Sequence, residues 1–203
     1  MALPVTIATV SLESMAPYSQ SRKHDLPTLK GELPAAYELR TWRDHLSVKD
    51  GSVFIPGFAM HMAIISAARY SKRRIIGQGQ ATWTAKFSSG IVLFDDIMLG
   101  VDPECVDYVD VNAHVNGTRG SGKRVTRRFP MIPAWKATFD IHVLDPIITQ
   151  DVLAEMLEIA GIFIGIGRYR PENGGSNGRF QTTKLVWTPA ETSDDDDLET
   201  EAA

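Results

Sequence analysis

The segment that decides the fold is Lys136-Ala137-Thr138-Phe139-Asp140-Ile141-His142-Val143-Leu144, in which polar and apolar side chains alternate. Alternate side chains of a strand point to opposite faces, so this pattern predicts a strand with one buried face. Asp145-Pro146 ends it, and a helix is predicted from the N-cap Thr149 to Gly161 as its C′ residue. Its apolar stripe comprises Leu153, Met156, Leu157 and Ala160.

The same reasoning, extended outward, gives the remaining elements. A helix is predicted from Phe58 to Tyr70, with Phe58, Met62, Ile65 and Ala68 as its apolar stripe and a short helix near Pro34–Trp42 before it. The predicted strands are Val5–Leu12, Thr82–Phe87, Ile91–Leu99, Tyr108–Val115, Val125–Phe129 as a hairpin arm, and Phe180–Trp187.

Two long insertions interrupt this series, one at residues 14–52 after the first strand and one between the middle strands. Without them, the order is strand, helix, strand, strand, helix, strand. This is the ferredoxin-like (RRM-like) βαββαβ core, an α+β fold. RNA-recognition modules with this fold bind bases on the open face of the sheet.

Composition limits the class of protein. The 203 residues are 43% hydrophobic, which predicts one packed domain over residues 1–190. No apolar run is long enough for a membrane helix, and the N-terminus lacks a signal-peptide pattern. The single cysteine, Cys105, excludes an internal disulfide framework. We therefore expect a cytoplasmic protein that does not contact membranes.

The charge is unevenly distributed. The formal charge is −4, but residues 191–203 hold seven acids and no base, which leaves a net charge of +3 for residues 1–190. Such a block predicts a disordered acidic tail, which either keeps the protein soluble, competes with nucleic acid or recruits a protein partner. No acid lies between Asp50 and Asp95 or between Asp110 and Asp140, although both intervals contain several bases. Clusters of this kind are typical of phosphate binding.

Two glycine-rich, basic loops carry the functional prediction. The loop at 165–180 combines glycines, which allow close backbone approach, with arginines for phosphates and aromatic rings for base stacking. The loop at 116–122 and the strand after it supply a second basic arm. The candidate nucleic-acid-binding residues are Arg22, Lys23, Arg119, Lys123, Arg124, Arg127, Arg128, Gly165, Gly167, Arg168, Tyr169, Arg170, Gly174, Gly175, Gly178, Arg179 and Phe180.

Patterns for cofactors and metals are incomplete. Gly117–Lys123 matches the start of a P-loop, but Arg124 stands where Ser or Thr must bind magnesium, and no helix is predicted to follow. The five histidines do not have the spacing of zinc ligands. We expect neither cofactor nor metal. His24 and Asp25 form the one plausible acid–base pair.

Two of these features resemble the RAMP superfamily, notably the backbone subunits of CRISPR effector complexes. They are Val53-Phe54-Ile55-Pro56-Gly57 at the start of the first helix and the glycine-rich loop after the second helix. The resemblance implies a ferredoxin-like core, nucleic acid against residues 165–179, insertions that grip the strand, and assembly of subunits into a homo-oligomer or filament. It extends to stand-alone bacterial or bacteriophage relatives, including single-strand-binding and annealing proteins. The ribonuclease branch uses Asp or His in such loops.

Three hypotheses follow. The first is a non-enzymatic protein that binds single-stranded DNA or RNA through its phosphates, with Tyr169 and Phe180 stacking on bases. The second is a metal-independent endoribonuclease that uses His24 or Asp25. The third is a protein-interaction module that acts on a host complex.

Overall fold

The computed structural model describes residues 5–114 and 124–189. The strands are β1 Thr6–Ser14, β2 Tyr18–Ser19, β3 Val48–Lys49, β4 Ser52–Ile55, β5 Ile91–Val92, β6 Ile97–Val101, β7 Asp107–His114, β8 Arg124–Ile132, β9 Lys136–Val143 and β10 Phe180–Thr188. The helices are α1 Pro34–Thr41, α2 Gly57–Ser71, α3 Trp83–Ser89 and α4 Gln150–Ile159. Short 3₁₀ turns cover Trp42–His45, Pro103–Cys105 and Pro171–Asn173, and a π-helical turn covers Ala160–Ile164.

The central sheet has the strand order β10-β1-β9-β5, and all neighbouring strands are antiparallel. With α2 between β1 and β5, and α4 between β9 and β10, this is the βαββαβ arrangement. The prediction of a ferredoxin-like core is confirmed. The alternation in β9 is also confirmed, because Ala137, Phe139, Ile141 and Val143 are buried against the helices.

The two insertions form sheets of their own. The first contributes β2, α1, β3 and β4, and the second contributes β6, β7 and β8. They meet in the sheets β2-β8-β7 and β3-β4-β6. Residues 14–52 were predicted to form a long loop, but they contain strands that pair with strands of the second insertion. The insertions also connect at α1, which packs on β8.

One predicted strand is wrong. Residues 83–89 form α3, although Thr82–Phe87 has the β-branched and aromatic content of a strand. Trp83 and Phe87 are four residues apart, so a helix places both rings on one face, and both are buried. The predicted strand Ile91–Leu99 is split into β5 and β6.

The buried face predicted for α2 is correct for Ile65 and Ala68, which are buried, and wrong for Phe58 and Met62. Phe58 is 73% exposed and Met62 is 39% exposed, whereas Met60, Ala63 and Ile64 face the core. Both faces of this helix are apolar, so periodicity alone does not select the one that packs on the sheet.

The helix α4 ends differently from the prediction. Thr149 is the N-cap residue, without a capping side-chain bond, but the chain does not leave the helix at Gly161. It continues through the π-helical turn to Gly165, which has a φ of 69°. Gly161 instead lies against the backbone carbonyl of Phe180, where a Cβ would overlap that oxygen. Gly165 is thus the helix terminator and the first residue of the glycine-rich loop.

None of the described helices is long and apolar enough to cross a membrane. The predicted loop at 116–122 and the acidic tail at 191–203 lie outside the described residues.

Candidate nucleic-acid interface

The glycine-rich loop, residues 165–179, folds tightly over the start of the first insertion. Gly165, Gly167, Gly174 and Gly178 all have positive φ values. The Arg168 N–H donates to the carbonyl of Ser19 at 2.8 Å, and the Gly178 N–H donates to that of Pro17 at 2.7 Å. Glycine is needed because its backbone adopts these angles without a side-chain clash.

Arg168 and Tyr169 form a stacked pair at the surface. The Arg168 guanidinium carbon lies 3.5 Å from the Phe129 ring centroid and 4.1 Å from that of Tyr169. Tyr169 has a φ of 57° and its side chain is 46% exposed. A left-handed backbone is uncommon outside glycine and is often found at functional sites. We call this pair the Arg168–Tyr169 platform.

The charge of Arg168 is poorly matched. Burial lowers the pKa of its guanidinium from the usual value. Its Nη1 atom is buried without a hydrogen-bond partner, and no salt bridge to it forms within residues 5–114 and 124–189. An anion near this guanidinium would therefore supply a counter-charge that the described residues do not provide.

The other two loop arginines hold the loop together. Arg170 forms an ion pair with Glu172 at 2.8 Å. The Arg179 guanidinium donates to the carbonyls of Ile162 and Ser176, each at 3.1 Å. The guanidinium groups of Arg170 and Arg179, which were predicted to bind phosphates, therefore donate hydrogen bonds within the loop.

Two further predicted contacts change in the structure. Phe180 is 1% exposed and lies beside Trp135 with ring centroids 6.2 Å apart, so its ring is closed to a base. Gly175 lies against the backbone of Tyr169, and a Cβ there would overlap the Tyr169 carbonyl. Phe180 therefore belongs to the core, whereas the half-buried Gly175 permits a close backbone contact within the loop.

The hairpin β7–β8 provides the second predicted arm. Arg124 is exposed, Arg127 pairs with Glu38 at 3.4 Å, and Arg128 pairs with Asp110 at 2.8 Å. The bond from Arg128 holds the pKa of the Asp110 carboxyl below its usual value. Two of the three cations are therefore matched by acids. Arg119 and Lys123 lie outside the described residues.

The predicted cluster at residues 22–25 meets this hairpin through a second histidine. The His24 ring lies 4.7 Å from the His45 ring, which stacks on Phe129 at 5.1 Å. Asp25 is exposed and pairs with Lys23 at 3.5 Å. The Arg22 guanidinium donates to the Asp44 carbonyl at 3.3 Å. The structure therefore connects His24 to the platform through His45 and Phe129, and leaves Asp25 outside.

His45 was not found from the sequence, because its partners are distant in the chain. Its Nδ1 lies 2.9 Å from the carbonyl of Arg22, which assigns the proton to Nδ1 and the lone pair to Nε2. Burial lowers its pKa, and the neighbouring His24 and Arg127 also act in that direction, against the opposing influence of the Arg22 carbonyl and Glu38.

This pKa shift predicts a pH-dependent stability. Above about pH 6.5, histidine is neutral in both states; below that, the unfolded chain binds the proton first, so the free energy of unfolding falls. His45→Phe keeps a ring against Phe129 but cannot be protonated. We expect a shallower loss of stability between pH 7 and pH 5, measured by urea unfolding. If the free energy of unfolding falls equally with pH in the variant and in wild type, the lowered pKa of His45 is contradicted.

The open face of the central sheet is polar. Thr9 donates to Asp140 at 2.6 Å, and the hydroxyls of Ser11 and Thr138 are 3.0 Å apart. The rings of Phe139 and Phe180 are buried, and Trp187 pairs with Ala8 on the helix-covered face. The expected base-binding face of an RNA-recognition module therefore has no Phe, Tyr or Trp on its strands.

A groove lies between the glycine-rich loop and α2. It consists of two adjoining hollows of about 440 and 490 Å³. Phe58, Met62 and Gly167 line the first, Tyr70 and Phe163 line the second, and Arg69 borders both. Within the described ranges, no three His, Cys, Asp or Glu side chains are grouped so that they could hold a metal ion.

No family model and no curated protein matches the chain. Among solved structures, it is similar to a chain of the Type III-B Cmr-beta complex bound to cognate target RNA, with a TM-score of 0.54 and 14% identity. The match covers 93% of this chain and 62% of that one. This likeness shows that the two chains share a fold. The chain spans less than two thirds of the length of this relative.

Two further structures are similar at lower scores. Cmr6 from Pyrococcus furiosus has a TM-score of 0.48 and 12% identity, over 89% of this chain and 100% of that one. A chain of a CRISPR RNA-guided surveillance complex has a TM-score of 0.38 and 13% identity, over 92% of this chain and 66% of that one.

Proposed function

We propose that this protein binds single-stranded nucleic acid, DNA or RNA, without catalysing its cleavage. The observation that carries the proposal is the Arg168–Tyr169 platform. It places an exposed ring beside a cation that lacks a carboxylate partner within the described residues. Bases stack on aromatic rings whatever their sequence, and arginine adds a phosphate contact.

Two observations support this function. Arg124 is exposed on β8, and the same strand carries Phe129, whose ring contacts Arg168 of the platform. One chain with a similar fold comes from the Type III-B Cmr-beta complex, which was solved bound to cognate target RNA. By this analogy the protein would assemble along the strand as a homo-oligomer or filament.

Fluorescence anisotropy with labelled single-stranded DNA, single-stranded RNA and duplex DNA tests the proposal. We expect both single strands to bind more tightly than the duplex, with affinity that falls as salt rises. A protein that neutralises about three phosphates of a single strand loses roughly 20-fold in affinity between 50 and 200 mM salt. Absence of binding by the folded protein would overturn the proposal and direct the search to protein partners.

A second candidate function, metal-independent RNA cleavage, is favoured by the His24–His45 pair. Two imidazoles can act as acid and base, and the Nδ1 contact of His45 leaves its Nε2 free to accept the proton of a ribose 2′-hydroxyl. The RNA from the binding experiment, separated on a gel, decides between the two functions. Cleavage that His45→Phe abolishes without loss of binding would establish the enzyme; intact RNA leaves binding alone.

A further inference from the structure

The outer face of α2 carries an apolar surface that no described part of the protein covers. It comprises Phe58, Met62 and Tyr70 from the helix, and Ile162 and Phe163 from the π-helical turn; we call these five residues the α2 stripe. Their side chains are between 39% and 73% exposed. Tyr70 and Phe163 stack at 5.2 Å with their planes 17° apart. Apolar surface of this extent usually marks a binding site.

The charges around the stripe indicate its occupant. No Asp or Glu occurs in α2, and Arg69, Lys72 and Arg74 at its end form no salt bridge within the described residues. Across the groove, the carboxylate of Glu172 forms an ion pair with Arg170 and also interacts electrostatically with Arg69, which leaves Lys72 and Arg74 as the unmatched cations. An anionic ligand with flat apolar faces matches both the cations and the rings.

We propose that the bases of a bound single strand stack along the α2 stripe, while its phosphates follow Arg69 and the cations at the end of α2. This inference rests on the proposed function and gives the strand its path. Phe58 and Tyr70 are twelve residues apart, which is about 18 Å along a helix. That length accommodates about five bases at the stacked rise of roughly 3.4 Å. The strand therefore runs over the helix and not over the polar sheet face.

The test compares Phe58→Ala and Tyr70→Ala with Phe94→Ala. Phe94 is the control, because its side chain is 71% exposed, lies beside His142 and lines neither hollow of the groove. Because all three side chains are exposed, we expect each variant to remain folded, as thermal unfolding will show. Affinity is measured by anisotropy with labelled oligothymidine and oligouridine of 6 to 20 nucleotides.

The expected result is a loss of affinity of roughly 5-fold or more for each stripe variant, since base stacking contributes about 1–3 kcal/mol per base. Phe94→Ala should bind like wild type. If wild type binds and the stripe variants bind equally well, the path is wrong while the proposed function stands. If the variants change only self-association in sedimentation, a second copy occupies the stripe. If wild type does not bind, the proposed function fails as well.

Discussion

Replacing Gly178 with alanine is expected to lower the free energy of unfolding by about 3 kcal/mol. The residue has a φ of 70° and is buried inside the glycine-rich loop, where a Cβ would overlap the carbonyl of Ile166. The left-handed backbone costs alanine about 1–2 kcal/mol, and forcing the overlapping atoms apart costs a further ~1–3 kcal/mol. The contact is with backbone, so no flexible side chain can move aside.

Gly174→Ala is the matched control for this change. Gly174 lies in the same loop with a φ of 78°, but nothing lies within 4 Å of the position its Cβ would take. It therefore incurs the backbone cost alone, about 1–2 kcal/mol. Thermal unfolding should show a larger decrease in Tm for Gly178→Ala, by roughly 2–4 °C per kcal/mol of difference. Equal decreases would show that the loop does not pack at Gly178 as described.

Regular burial made part of this structure predictable. The alternation of Ala137 to Val143 and the stripe of α4 were recognised because each element buries one face against one layer. In such elements the period of the apolar residues matches the buried face, so the type and order of the elements can be read from the sequence. The glycine-rich loop was recognised by composition, since glycine and arginine have specific backbone and charge properties.

Where two arrangements fit a pattern equally well, sequence reasoning failed. Trp83 and Phe87 satisfy a helix as readily as a strand, and α2 is apolar on both sides. Tertiary packing decides such cases, and it is not encoded in local periodicity.

The candidate site shows the same limit. The stack that joins His24, His45, Phe129 and Arg168 combines residues from two insertions and a distant loop. No local spacing relates these four positions. The pairing of Arg170 with Glu172 is visible in the sequence, because the two residues are neighbours in the loop. The role of Arg179 was hidden, because its partners are the backbone carbonyls of Ile162 and Ser176, which the folded loop brings to it.

The central claim is that a single strand binds at the Arg168–Tyr169 platform, and Tyr169→Asn tests it. Asparagine tolerates the left-handed backbone of this position, so stability should not fall while the stacking ring is removed. Tyr108→Asn is the matched control. Tyr108 is 52% exposed and stacks on Arg128 at 3.5 Å, but Asp110 neutralises that arginine.

The decisive measurement is the affinity of wild type, Tyr169→Asn and Tyr108→Asn for the same labelled single strand at 50 mM salt. Loss of one stacked base predicts a roughly 5- to 150-fold weaker affinity for Tyr169→Asn, with little change for Tyr108→Asn. Equal affinity of Tyr169→Asn and wild type, with both proteins folded, would contradict the account.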